Sequence, residues 1–175
     1  MKCLCNSLVL ISALFFSSCR ENTSELLVDS GDVVEIYLLE SFTKTGDLKI
    51  DESTIQLKST PLITYSDIVS YNSSKHIFKL TDNGKNAIAN LTQSGIRMAY
   101  AVKAKGEVIY TGYFWSNVMS SSCDWGVMDI IDLPIKNEII VKIGYPWLLA
   151  GDNIPDKRND KRIIDVLKSG NKLIL

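Results

Sequence analysis

Along residues 77–115 the spacing of apolar side chains switches from alternation to a helical period and back again, and each switch is marked by a boundary residue. Ile77-Phe78-Lys79-Leu80 reads as a short strand. Gly84, Ala87, Ile88 and Leu91 then fall at i, i+3, i+4 and i+7, which gives a helix one narrow, smooth face to lay on a sheet. Thr81 is placed to cap that helix, Asp82 to oppose its positive end, and Gly95 to terminate it. Residues 98–104 and 108–115 follow as strands, joined across Lys105-Gly106 in a tight hairpin. The pattern predicts a β-α-β-β folding unit around which the rest of the chain is arranged.

Outside this unit the signals are shorter. Residues 33–42 (VVEIYLLESF) carry apolar side chains on both faces, as a strand inside a sheet does, while residues 43–51 contain a turn and read as an excursion. Residues 53–62 read as a short strand or edge segment, and residues 64–71 as either a strand or one helical turn capped by Ser66-Asp67. Residues 116–124 are small and polar and form a loop, residues 125–133 alternate as a strand that Pro134 stops, and residues 138–144 make another strand. Asp160 caps a last helix over residues 161–168, with Ile163, Ile164 and Leu167 as its apolar face. Two helices and six or seven strands predict an α+β domain, a mainly antiparallel sheet with the helices on one face, stabilised chiefly at that interface.

Composition fits one globular domain: 46% of the 175 residues are apolar and 22% charged. Nineteen basic residues against twenty acidic leave a net charge of −1 with no basic stripe, which argues against nucleic acid as a partner. The first residues change the picture more. Lys2 precedes an apolar run over residues 8–16, shorter than the roughly 20 residues a membrane span needs, so the segment reads as a secretory signal.

That run ends in Phe16-Ser17-Ser18-Cys19, small residues directly before a cysteine, which resembles the lipobox of bacterial lipoproteins. The resemblance implies removal of residues 1–18, a diacylglycerol on the Cys19 thiol, a tether over residues 19–32, and a folded domain over residues 33–175. Two or three acyl chains, each CH₂ contributing about 0.8 kcal/mol, hold such a domain firmly on a membrane. The alternative is an ordinary signal peptide cut near a cysteine. Arg20 after the cysteine implies sorting to the outer membrane, and Arg20-Glu21 is similar to the export signal of Bacteroidetes surface lipoproteins. Of four cysteines, Cys3 and Cys5 leave with the signal and Cys19 is acylated, so Cys123 is left without a disulfide partner. In layout, residues 78–115 also resemble the head region of the first periplasmic domain of the protein-export membrane protein SecD. This resemblance implies a fold and, as one alternative, an accessory role in export or envelope assembly.

No catalytic motif is present, and no cofactor is expected. His76, the only histidine, excludes a multi-histidine metal site and reads as a solvated turn residue. Cys123 with His76 and an aspartate offers a small hydrolase or thiol enzyme as an alternative function, and a half-buried loop thiol as the simpler reading. Asp129 and Asp132 are three apart on the expected strand and point to opposite faces. Asp152, Asp156 and Asp160 are interleaved with Lys157, Arg158 and Lys161, so charge pairing is expected there rather than calcium. The remaining binding-like feature is aromatic. Alternation puts Tyr113 and Trp115 on one face of the hairpin and Tyr110 and Phe114 on the other, and Tyr113, Trp115 and Trp125 are the candidate platform for an envelope protein or ligand, with core packing of both faces the simpler account. The function expected is that of a non-enzymatic, lipid-anchored envelope protein.

Overall fold

The computed structural model describes residues 32–92, 98–116, 121–148 and 153–175. Cys19, Gly95 and Asp152, to which the sequence assigns roles, lie outside them. The expected central elements form where the pattern puts them: β4 (Ile77–Leu80), α1 (Asp82–Thr92), β5 (Ala99–Ala104) and β6 (Glu107–Trp115). Thr81 Oγ1 accepts the Gly84 N–H at 3.2 Å, closing the first helical turn. Lys105 and Gly106 both have positive φ, as a two-residue hairpin turn twisted to match its strands requires.

Around them lie β1 (Val34–Ser41), β2 (Gln56–Leu57), β3 (Ile68–Asn72), β7 (Cys123–Asp129), β8 (Glu138–Tyr145), α3 (Lys161–Ser169) and β9 (Leu173–Ile174). The nine strands of the described residues form one sheet in the order β2-β1-β5-β6-β7-β8-β4-β3-β9, antiparallel except at β6–β7 and β3–β9. This is the expected single α+β domain. The predicted β-α-β-β unit, however, is not a compact one: β8, β7 and β6 separate β4 from β5, so α1 carries the chain across the sheet.

Residues 64–71 combine both of the forms expected of them, a 3₁₀ turn (Tyr65–Asp67) running into β3. The Asp67 carboxylate accepts from the Thr64 N–H at 3.0 Å and from Thr64 Oγ1 at 2.5 Å, so Thr64 and not Ser66 begins the turn. Pro134 does more than stop a strand. It opens a one-turn helix, α2 (Leu133–Lys136), which tolerates a proline where no N–H partner is needed and ends on Asn137 in the left-handed region. Asp132 therefore precedes that helix instead of lying on the strand with Asp129.

The three α-helices of the described residues lie over one face. Ile88 of α1, Leu133 of α2 and Ile163, Val166 and Leu167 of α3 join a core with Ile36, Tyr71, Phe78, Tyr100 and Phe114. Val166 takes the buried place expected of Ile164, which packs at the margin. Stabilisation does not come from this interface alone. The opposite face carries a second core of Leu39, Ile50, Ala99, Ala101, Tyr113, Trp115, Cys123, Trp125 and Val127, flanked by Phe42, Leu48, Ile55 and Leu57. Residues 42–57 are what covers it: residues 43–51, read from sequence as an excursion, and the start of residues 53–62, read as a short strand or edge segment, which supplies the edge strand β2. Asp124 Oδ1 fastens them by accepting the Leu48 N–H at 2.9 Å.

Candidate functional site: a cleft where two parallel strands part

Parallel β6 and β7 share a ladder only over Tyr113–Trp115 and Val127–Asp129. Before that ladder begins, the two strands touch through glycines. A Cβ at Gly112 would lie 2.5 Å from the Gly126 carbonyl oxygen and 2.5 Å from Tyr100 Oη, so only a bare backbone lets Tyr100 reach across β6 to β7. A cleft opens here, lined by Tyr100, Tyr110, Thr111, Trp125, Gly126, Val141, Lys142 and Ile143 of the sheet. Glu52 closes one side, and Ile154, Pro155, Lys157 and Arg158 of the segment before α3 run past the other. Its enclosed volume of about 30 Å³ holds about two water-sized molecules.

The polar groups of the cleft are mostly committed. Glu52 Oε1 accepts from both the N–H and the hydroxyl of Thr111 at 3.1 Å, and its Oε2 is 2.8 Å from Lys157 Nζ. Trp125 donates its indole N–H to Thr111 Oγ1 at 2.9 Å. Arg158 holds Asp156 in a fork, with Nε and Nη2 at 2.9 and 2.8 Å, and donates through Nη1 to the Val141 carbonyl at 3.1 Å. Lys142 pairs with the buried Asp129 at 2.5 Å.

Two groups stand apart. The hydroxyls of Tyr100 and Tyr110 are buried and have no hydrogen-bond partner among the described residues. Burial pushes both phenols well above their ordinary pKa, so each keeps its proton and remains a donor. The neighbouring Tyr71 shows the usual solution: its hydroxyl is 3.0 Å from both the Arg158 carbonyl and Asn159 Oδ1, and 3.3 Å from His76 Nδ1.

The nominated residues sort as follows. The faces alternate as expected, with Tyr110 and Phe114 in the helix-side core and Tyr113 and Trp115 in the other. Both faces are core, however. Tyr113 is 3% exposed, Trp115 0% and Trp125 7%, so the simpler account of core packing holds and the three do not form the open platform for which they were candidates. The physical reason is the cover of residues 42–57: Phe42 meets Tyr113 edge-on at 6.1 Å, and Tyr145 lies 5.6 Å from Trp115. Only Trp125 reaches the cleft.

Cys123 is buried at the start of β7, not half-exposed in a loop, and its Sγ donates to the Trp125 carbonyl at 3.6 Å. It belongs to the second core, whereas His76 contacts Tyr71 of the first, so the sheet does not assemble a thiol–imidazole pair. His76 is half-buried in a left-handed turn position, and burial with the adjacent Arg158 charge lowers its pKa. No group of three metal-ligating side chains occurs among the described residues, and no helix there is long and apolar enough to cross a membrane.

Glu52, Tyr100 and Thr111 were not singled out by sequence reasoning, and Lys157 and Arg158 were read only as charge partners of the neighbouring aspartates. One signal does point to the place: Gly112 and Gly126 interrupt otherwise regular strands, which marks a close approach of backbone.

The expected charge pairing of the segment before α3 is present and has a pH consequence. Arg158 holds the Asp156 carboxyl at a pKa of about 2, and Arg162 holds Asp160 at about 2 in the same way. Carboxylates depressed in the folded chain stabilise it above the ordinary range near about 4, and that stabilisation is lost as protons bind. The thermal midpoint should therefore fall between about pH 4 and about pH 2. An Asp156→Asn, Asp160→Asn chain should fall less steeply over the same interval; an unchanged slope would remove these pairs from the account. Compared with protein-family models, with curated proteins and with solved structures, the chain matches none.

Proposed function

We propose that this chain is a lipid-anchored bacterial envelope protein whose single domain is a non-catalytic binding module, with the cleft between β6 and β7 as its binding site. The observation that carries the binding reading is a cleft walled by paired charges, with two buried phenols beside it that have no partner among the described residues. Native interiors rarely leave such groups without a partner, and where they do the site calls for an explanation. A thiol enzyme is not supported, since Cys123 is packed in a core away from His76. The anchor rests on Phe16-Ser17-Ser18-Cys19 and the apolar run before it.

The anchor and the cleft are tested separately. Expressed in a bacterium with lipoprotein-processing machinery, the native chain should partition with membranes and into detergent. Cys19→Ala should leave it soluble or uncleaved, and unchanged fractionation would refute acylation. For the cleft, the full mature chain in detergent is titrated by nuclear magnetic resonance with small neutral, anionic and cationic probes. Saturable shifts grouped at Thr111, Gly126 and Ile143 are expected; shifts scattered over the surface would end the assignment.

A further inference from the structure

The strand directions bring two features to the same end of the sheet. β1 starts there: Val34 pairs with Ala104 at the end of β5, and Ala104 with Glu107 at the start of β6. β7 runs parallel to β6 and antiparallel to β8, and its first residue, Cys123, faces Tyr145, the last of β8. The chain that joins the domain to Cys19 therefore enters at the end where β8 leaves. That entry is held in place, since the Val33 carbonyl accepts the Lys105 N–H at 3.2 Å and Asp32 pairs with Lys105 at 3.7 Å.

The exit of β8 is held too, and it displays apolar side chains. Tyr145 lies 5.6 Å from Trp115 of the second core. Gly144 has a φ of 76°, and a Cβ on it would lie 3.1 Å from both the Trp147 carbonyl oxygen and Leu148 Cα, so residues 147 and 148 fold back tightly over the strand end. Their side chains stay outside. Trp147 is 68% exposed and Leu148 is exposed beside it, whereas Trp115 and Trp125 are buried. An indole has an apolar body and one polar N–H, the combination that places tryptophan at the boundary between lipid chains and headgroups.

The distances let the anchor and this turn touch one surface. β1 and β8 are separated by β5, β6 and β7, a step across the sheet of about 19 Å. The chain from Cys19 to Asp32 reaches up to about 45 Å when extended. A short tether also keeps the domain near the surface at an effective concentration of about a millimolar, so an apolar pair too weak to dock a free protein is enough to seat an anchored one.

We infer that the Trp147-Leu148 turn is a second, non-covalent contact with the lipid surface, which seats the domain with the exit of β8 toward the membrane and α2 away from it. The inference rests on the lipid anchor proposed above and not on the cleft. Ile135 of α2 supplies an internal contrast. It is 84% exposed, but it precedes the start of β8 and lies at the opposite end of the sheet. Apolar exposure alone does not choose the seated end; the point of attachment does.

The test uses the full mature chain, acylated on Cys19, in phosphatidylcholine vesicles whose acyl chains carry bromine close to the headgroups. Trp147→Phe identifies the emission that belongs to Trp147, and Ile135→Trp in that background moves the reporter to the far end. Bromine should quench most of the Trp147 emission, and its access to acrylamide should fall severalfold relative to the Cys19→Ala chain in solution. The Ile135→Trp reporter should stay unquenched by bromine and open to acrylamide. Full acrylamide access of Trp147 without bromine quenching, in a chain that floats with the vesicles, would overturn the seating and leave the anchor standing. Acrylamide protection without bromine quenching would assign the turn to a protein contact and overturn the lipid one. Equal bromine quenching of Trp147 and of the Ile135→Trp reporter would overturn the orientation. A native chain that does not float would refute the anchor, and this inference with it.

Discussion

Trp115→Ala should destabilise the fold by about 3–5 kcal/mol, read from chemical denaturation of the full mature chain. Trp115 ends β6 with its side chain fully buried, among the largest side chains in the molecule to be so. It sits in the second core beside Tyr113, Trp125 and Val127, with the Tyr145 ring 5.6 Å away at an interplanar angle of 43°. Truncation would remove the indole and leave a void between the sheet and the cover of residues 42–57. The neighbours that line it cannot close it cheaply, because they are fixed on the strands and on the Asp124-to-Leu48 hydrogen bond. Against a typical total stability of 5–15 kcal/mol, a loss of this size should make the chain marginal at room temperature. A loss under about 1 kcal/mol would mean that Trp115 is a surface aromatic, and would return it to the candidate binding residues.

Gly112→Ala tests the second feature of the fold that one methyl group can break. The added Cβ would meet the Gly126 carbonyl oxygen at 2.5 Å, Tyr100 Oη at 2.5 Å and Tyr100 Cζ at 2.7 Å. None of these neighbours is free to yield. The carbonyl belongs to the backbone of β7, and the Tyr100 ring is fully buried between Tyr110 and Phe114. The expected cost is at the upper end for overpacking, about 3 kcal/mol or more, with the β6–β7 junction pried apart. Gly106→Ala is the control. Nothing lies within 4 Å of its Cβ, and only the positive φ opposes it, so a cost near about 1 kcal/mol is expected. Combining Gly112→Ala with Tyr100→Ala should recover part of the loss and no more, since the clash with Gly126 stays. Full stability in Gly112→Ala would show that β6 and β7 are not held this closely, and the cleft would lose its floor.

The two variants probe what was hardest to read from the chain. Alternation along residues 108–115 correctly separates Tyr113 and Trp115 from Tyr110 and Phe114, because the pleat of a strand is a local property. It says nothing about what lies over each face. Residues 43–51 look like an excursion, and residues 53–62 only like an edge segment, because Leu48, Ile50, Ile55 and Leu57 are spaced by turns and follow no single period. Their role as a cover is set by tertiary contacts, Leu57 pairing with Leu39 of β1 and Asp124 holding Leu48 across 76 positions. Cys123 follows the same rule. Its small, polar neighbours suggest a loop, and pairing with Tyr145 draws it into β7.

The cleft is further from the sequence still. Glu52, Thr111 and Lys157 are unremarkable singly, and they meet because one ladder between parallel strands stops short and two loops from opposite ends of the chain fill the gap. The glycines at 112 and 126 were the visible trace of that event, but a strand glycine states only that something comes close, not what.

By itself the sequence determined the elements whose causes are local: the Thr81 cap and the face of α1, the Lys105-Gly106 turn, the Asp160 cap of α3, and strands enough for an α+β domain with its helices on one side. Each follows from side chains within a turn or two of one another. Tertiary structure alone decided the strand order that parts β4 from β5, the second core that buries Tyr113 and Trp115, and the gathering of Glu52, Thr111, Lys157 and two buried phenols about one opening. Those depend on which distant strands exchange hydrogen bonds, and backbone donors and acceptors are alike in every residue but proline, so no single residue type announces the choice.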